Sequence, residues 1–201
     1  MTGRRPAAGY DKLLESAGAL FADAGYERVT TKQLAAGAGL SIGALYHHFP
    51  SKLDAYRAAV EWGISRISPP RIEGGDARGE FGELISWFCS VISAPTTESQ
   101  LLRLELLDPH LAAPLAELPP FSVAFAYFQT LTHIVAPGAD AEELIASIVA
   151  LSFGFARLDG LMVQVPGFAA KTSNPSEIAE AVMRIVLRAN DFGQSVPSNG
   201  Q

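Results

Sequence analysis

The chain has 201 residues, with 15 basic and 21 acidic side chains, a formal charge of −6, and 48% hydrophobic against 18% charged residues. That is enough chain for one ordinary domain or two small ones with a real core, and the composition excludes collagen, global disorder and a charged coiled coil. The single cysteine, Cys89, permits no internal disulfide and no cysteine-based zinc site; set among Phe88, Val91 and Ile92, it reads as a small core residue.

The longest uncharged apolar run of the C-terminal half, Leu144 to Ala156, is thirteen residues, short of the roughly 20 that cross a bilayer, so no membrane span is expected. Asp11, Lys12 and Glu15 stand where a secretory signal would be apolar, and a cytoplasmic, soluble protein is expected. The charge is uneven. Residues 1–60 hold seven basic and five acidic side chains, and the remaining 141 hold eight and sixteen. A mildly basic head on an acidic body can present one end to a polyanion and keep the other away.

In chain order, Tyr10, Leu13, Leu14, Ala17, Leu20, Phe21 and Ala24 recur at helical spacing and predict a first helix that Gly25 ends. Thr30 with Gln33 three residues on fits a capping box for a second helix, carrying Leu34, Ala35 and Ala38. Gly37 inside it is a poor helix former, and Gly39 breaks it. Ser41 caps a third, Ile42 to Phe49, closed by Pro50. Ser51 with Asp54 opens a fourth that should reach about Ser68. Pro69 to Gly79, rich in Pro, Gly and charge, reads as a hinge or exposed loop. Beyond it come apolar helical stripes over 81–92, 101–107, about 120–134, about 140–165 and 176–189. No segment alternates like a strand, and the fold is expected to be all-α, with about nine helices.

Two helices joined by a tight glycine-containing turn form the helix-turn-helix plan, whose second helix enters the DNA major groove. Ala38-Gly39-Leu40 is that turn: Gly39 takes the left-handed bend and Leu40 packs inward. Ser41, Ile42, Gly43 and Ala44 are short enough to bring backbone close to base edges, and Tyr46, His47 and His48 offer polar tips for phosphates or bases. With Ile42, Gly43 and Ala44 at the front, thymine-methyl contacts or DNA shape carry more of the discrimination than bidentate hydrogen bonds. Lys32 is a further candidate for base or phosphate contact. Arg4 and Arg5 could enter the neighbouring minor groove or form a disordered basic tail.

Thr30-Thr31, Leu34-Ala35, Ala38-Gly39-Leu40-Ser41, Gly43 and Leu45-Tyr46-His47-His48-Phe49-Pro50-Ser51-Lys52 together resemble the DNA-binding signature of the tetracycline-repressor (TetR) family, over residues 10 to 57. The resemblance implies an all-α homodimer with a three-helix N-terminal helix-turn-helix domain and a C-terminal helical domain that binds an inducer and dimerises. It implies phosphate contacts for Thr31, Tyr46 and Lys52, and places near base edges for Ile42 to Ala44 and His47. The domains then run 1–52 for DNA binding, about 51–68 for the linking fourth helix, 69–192 for ligand binding and dimerisation, and 193–201 for a flexible tail. The partners implied are a palindromic double-stranded operator, a small-molecule inducer and a second copy of the chain. The activity is that of a regulator, most simply a repressor, rather than an enzyme. The alternative is an all-α carrier or enzyme that has lost operator binding.

In the body, Trp87, Phe88, Phe125, Tyr127, Phe128, Phe153 and Phe155 are core aromatics or the wall of a ligand pocket, with Arg103, Glu105, His110 and Asp159 as polar groups able to orient a ligand. Ile145, Ile148, Val149, Ser152, Ala156 and Gly160 on one helix, and Ile178, Val182, Ile185 and Val186 on the last, are candidates for a four-helix dimer interface or for internal core. No metal or cofactor is expected, since His47 and His48 point about 100° apart on a helix and cannot chelate one ion. No nucleophile motif or phosphate-binding loop accompanies the serines and histidines. Helix four is the expected lever, with Lys52 toward DNA and Trp62, Ile64 and Ile67 toward the body.

Overall fold

The computed structural model describes residues 8–71, 73–107, 118–162 and 175–194, and only the backbone of Ala8, Pro119, 155–162 and 186–194. The described residues form nine α-helices and no strand: α1 (Ala8–Ala24), α2 (Thr31–Gly37), α3 (Ile42–His48), α4 (Lys52–Ile64), α5 (Ala77–Ser93), α6 (Thr97–Leu107), α7 (Pro119–Val135), α8 (Ala141–Met162) and α9 (Pro175–Gln194). They gather into two compact units. One holds α1–α4 and α6, the other α5, α8, α9 and α7 from Phe121 on.

In the first unit the stripe expected on α1 is the core: Leu13, Leu14, Ala17 and Phe21 are buried, against Ala55, Tyr56, Ala59 and Val60 of α4. Three rings hold this seam together. Phe21 meets Tyr56 edge-on at 5.1 Å, and Tyr26, just past Gly25, stacks on Phe21 at 6.2 Å and meets Tyr56 at 5.2 Å. Such pairs stabilise by about 0.5–1.5 kcal/mol beyond their burial. Gly25 takes φ +77°, and its N–H closes the last turn on the Phe21 carbonyl at 2.8 Å. Gly37 has a structural reason to be glycine: a Cβ there would lie 2.6 Å from Ser16 Oγ and 3.2 Å from Leu20 Cδ1, so its absence lets α2 lie close on α1.

The fourth helix ends at Ile64, four residues short of the expected Ser68. Arg66 and Ile67 donate instead to the carbonyls three residues back, at Gly63 and Ile64, a tightening of the final turn. Pro69 disfavours the helical region for Ser68, so the chain does not return to helix before the proline. α6, which comes from the stretch beyond residue 69, packs on α1 and α4. Leu101 is fully buried there, its Cδ1 only 2.9 Å from where a Gly63 Cβ would stand and 3.5 Å from that of Gly18. An Arg66–Glu98 ion pair of 3.3 Å joins the ends of α4 and α6, with the Arg66 guanidinium 4.9 Å from the Trp62 ring. Arg66 is mostly exposed, so this pair contributes at most about 1 kcal/mol.

In the second unit α5 begins at Ala77, inside the stretch expected to be loop to Gly79, because the Asp76 carboxylate accepts from the N–H groups of Arg78 (3.2 Å) and Gly79 (3.1 Å) and caps the helix. Phe81, Leu84, Ile85 and Cys89 of α5 meet Ala124, Phe128 and Leu131 of α7, Ile148 of α8 and Ile178, Ala179 and Val182 of α9 in one core. Phe81 and Phe128 lie 4.9 Å apart. Cys89 is buried as expected, 3.3 Å from the Ser152 hydroxyl; burial pushes its thiol pKa up, and that hydrogen bond opposes the rise. Four residues read as candidates for a dimer interface therefore have another job. Ile148, Ser152, Ile178 and Val182 are at most 3% exposed within a single chain, which leaves them almost no surface to bury against a second copy.

Candidate nucleic-acid interface

The helix-turn-helix segment is built from short-range signals that all close. Thr30 Oγ accepts from Gln33 N–H at 3.3 Å while the Gln33 side chain accepts from Thr30 N–H at 2.9 Å, the reciprocal box that starts α2. At its far end Ala38 and Leu40 donate to the carbonyls of Leu34 and Ala35, and Gly39 takes φ +69°, a conformation costly to residues with a Cβ. The chain turns there, and Ser41 Oγ accepts from Ala44 N–H at 3.1 Å to start α3. Ser51 repeats the device for α4, accepting from Asp54 N–H at 3.1 Å.

Burial then sorts the side chains of α3 by face. Leu45 and Phe49 point inward with Leu34 and Ala35 of α2, all four buried. Ser41, Gly43, His47 and His48 are exposed, and so are Ile42, at 45%, and Tyr46, at 48%. Ala44 is half-buried. Ile42 and Tyr46 lie one turn apart on one face, so α3 shows water an apolar ridge rather than a charged one. His48 is held at its rim by Tyr10, whose ring lies 5.8 Å from it and 5.8 Å from Phe49. On α2, Thr31 is half-buried and Lys32 exposed. Arg4 and Arg5 lie outside the described residues.

Lys52 is more constrained than a solvated surface lysine. Its Nζ donates to the Tyr26 carbonyl at 3.1 Å and stands 4.1 Å from the centre of the Tyr26 ring, so the turn after α1 and the first residue of α4 are tied together. Tyr26 is missing from the residues singled out by sequence: it is 26 positions from its partner, and no local pattern connects them.

The body candidates divide between the units. Arg103, half-buried, and Glu105, buried, belong to α6 and the first unit. Trp87, Phe88, Phe125 and Phe153, half-buried, and Phe128, buried, belong to the second, where Trp87 also meets Phe121 at 5.9 Å. His110 lies outside the described residues, as do the side chains of Asp159, Phe155, Ala156 and Val186, and Gly160 is described by its backbone alone. Ile145 and Val149 are half-buried and Ile185 is 45% exposed. Among the described residues no group of His, Cys, Asp and Glu is arranged to hold a metal ion, and no helix is long and apolar enough to cross a membrane.

Residues 13–59, the segment just described, match the family described as bacterial regulatory proteins, tetR family. The chain is 45% identical over 51 residues to the HTH-type transcriptional repressor KstR2 of Mycolicibacterium smegmatis, covering 25% of each chain. It is 34% identical over 74 residues to the HTH-type transcriptional repressor AcnR of Corynebacterium efficiens, covering 37% of this chain and 39% of that one. The chain thus matches between a quarter and two-fifths of the length of these relatives. A TetR family protein from Vibrio parahaemolyticus superposes over 90% of this chain and 97% of its own, with a TM-score of 0.65 at 19% identity, a likeness of fold. The likeness to the tetR family of bacterial regulatory proteins is thus carried by the helix-turn-helix segment, residues 13–59.

Proposed function

We propose that this protein is a transcriptional repressor that binds a palindromic operator as a homodimer and is released by a small-molecule ligand. The observation that carries this is the division of α3 into a buried face, Leu45 with Phe49, and an exposed face of Ile42, Gly43, Tyr46, His47 and His48. A seven-residue helix gains little by itself from standing in water, whereas a major groove accepts such a helix. Thr31, Tyr46 and Lys52 contact phosphates and set the position of α3. Ile42, Gly43 and Ala44, with His47 and Lys32, face base edges. His48 and the Ser41 backbone lie on the same approach, and Arg4 and Arg5 reach the adjacent minor groove.

Because Ser41 Oγ already caps Ala44, the first turn of α3 offers bases mainly the Ile42 side chain, which suits the 5-methyl group of thymine. For the second copy, the surface left by the core is the outward side of α8 and α9, where Ala146, Ser147, Ala150 and Ile185 are exposed and Ile145 and Val149 half-buried. Small side chains there allow two helices to approach closely. Two helix-turn-helix segments in a dimer must sit about 34–36 Å apart to enter successive major grooves. A ligand taken up among the aromatic side chains of the second unit lowers DNA affinity by its preference for a conformation with another spacing.

Selection of bound fragments from a pool of genomic DNA tests the reading. Enrichment of sites with twofold symmetry and half-sites about one helical turn apart is expected. A folded chain that enriches no sequence removes the operator, and with it the repressor.

A further inference from the structure

We propose that Tyr26 is a positioning residue for operator binding: its ring and carbonyl hold the Lys52 ammonium in place for a phosphate. The inference rests on the DNA-binding function proposed for α3. Lys52 is the first residue of α4, where the partial positive charge of the helix end disfavours an ammonium; Asp54 in the same turn is the residue type that such an end prefers. A nearby group that favours the charge offsets that penalty. The Tyr26 carbonyl, 3.1 Å away, and the negative face of the Tyr26 ring, 4.1 Å away, do so.

The ring is itself fixed. It stacks on Phe21 and meets Tyr56 edge-on, and both of those side chains are fully buried. An ammonium has three N–H donors, and the carbonyl takes one, which leaves two for phosphate oxygens. A free lysine stem loses rotamer freedom when it docks, so a stem already held binds more tightly for the same contact. Lys52 is half-buried, and its ordering by Tyr26 precedes DNA.

The test compares the wild type, Tyr26→Phe, Tyr26→Leu, Lys52→Ala and the Tyr26→Leu/Lys52→Ala double variant on one operator fragment, recording affinity against salt concentration. Tyr26→Phe keeps a ring and the carbonyl and should behave as wild type. Tyr26→Leu should bind about three- to tenfold more weakly, and its log–log salt slope should fall toward that of Lys52→Ala, which is shallower by about 0.9 per phosphate left unneutralised. Lys52→Ala should cost less in the Tyr26→Leu background than alone. A full salt slope in Tyr26→Leu, or costs that simply add in the double variant, would show that Tyr26 only supports the fold and would overturn the proposal.

If Tyr26→Leu does not fold, NMR of the wild type decides. Ring-current displacement of the Lys52 ε-methylene and movement of its Nζ resonance on adding operator support the proposal, and ordinary shifts or a static Nζ overturn it. A wild type that binds no fragment removes the DNA-binding function itself. An operator-binding wild type whose salt slope is untouched by Lys52→Ala sinks this inference alone.

Discussion

The outward face of α3 and the outward faces of α8 and α9 both leave apolar or small side chains in water, and charge separates them. Beside Ile42 and Tyr46 on α3 are the exposed His47 and His48, while Lys32 is exposed on α2 and Lys52 starts the next helix. Around Ala146, Ala150 and Ile185 stand Glu142, Glu143, Glu177 and Glu180, all exposed, with Arg184 paired to Glu180 at 3.7 Å. An acidic rim repels phosphate and tolerates another protein surface, whereas a basic and imidazole rim invites a polyanion. Exposed apolar surface by itself therefore does not separate the two faces; the sign of the charge beside it does.

The sharpest way to break the comparison is to place a carboxylate on each side of α9. Val182→Asp puts a charge where the native side chain has no exposure, and loss of cooperative folding, at least about 3 kcal/mol, is expected in thermal or urea unfolding. Ile185→Asp, three residues on at 45% exposure, should change stability by less than about 1 kcal/mol and instead move the chain from dimer to monomer in sedimentation. Equal destabilisation by both variants would mean that α9 has no outward working face.

On α3, Tyr46→Ala should weaken binding to all DNA sequences alike, by about three- to tenfold, while its salt slope stays near that of the wild type because a phenol hydroxyl neutralises no phosphate. A variant that changed sequence preference would move Tyr46 from the phosphates to the bases.

The smallest effect belongs to Ile42. Replacing thymines of the selected half-site by uracil, one position at a time, should weaken wild-type binding by about fivefold or more at one position, and Ile42→Ala should be indifferent to the same replacement. Equal sensitivity of both proteins would leave discrimination to DNA shape.

Most of the helix-turn-helix segment is legible in the chain because its instructions are short-range. Thr30 with Gln33, Ser41, Ser51 with Asp54, Gly25 and Gly39 each act within four residues, and each does so in the structure. Where a signal was misread, a stronger local neighbour masked it. Asp76 starts α5 from within a Pro- and Gly-rich stretch whose composition suggests loop, and Ile67 extends the apolar stripe of α4 past Ile64, where the helix ends and the backbone hydrogen bonds tighten to three-residue spacing. The second unit is less legible, since its helices carry apolar residues on more than one face. Ile148, Ile178 and Val182 differ from Ile185 in nothing local.

The sequence by itself determined the helices of the helix-turn-helix segment, their caps and the turn between them, because those depend on hydrogen bonds and backbone torsions set by neighbours in the chain. Only the tertiary structure decided which apolar face of α8 and α9 is core, why Gly37 must be small beside Ser16, and that Tyr26 holds Lys52. Those are questions of what one element buries against another, and the answer lies with residues about 20 to 100 positions away, to which local periodicity and capping chemistry carry no reference.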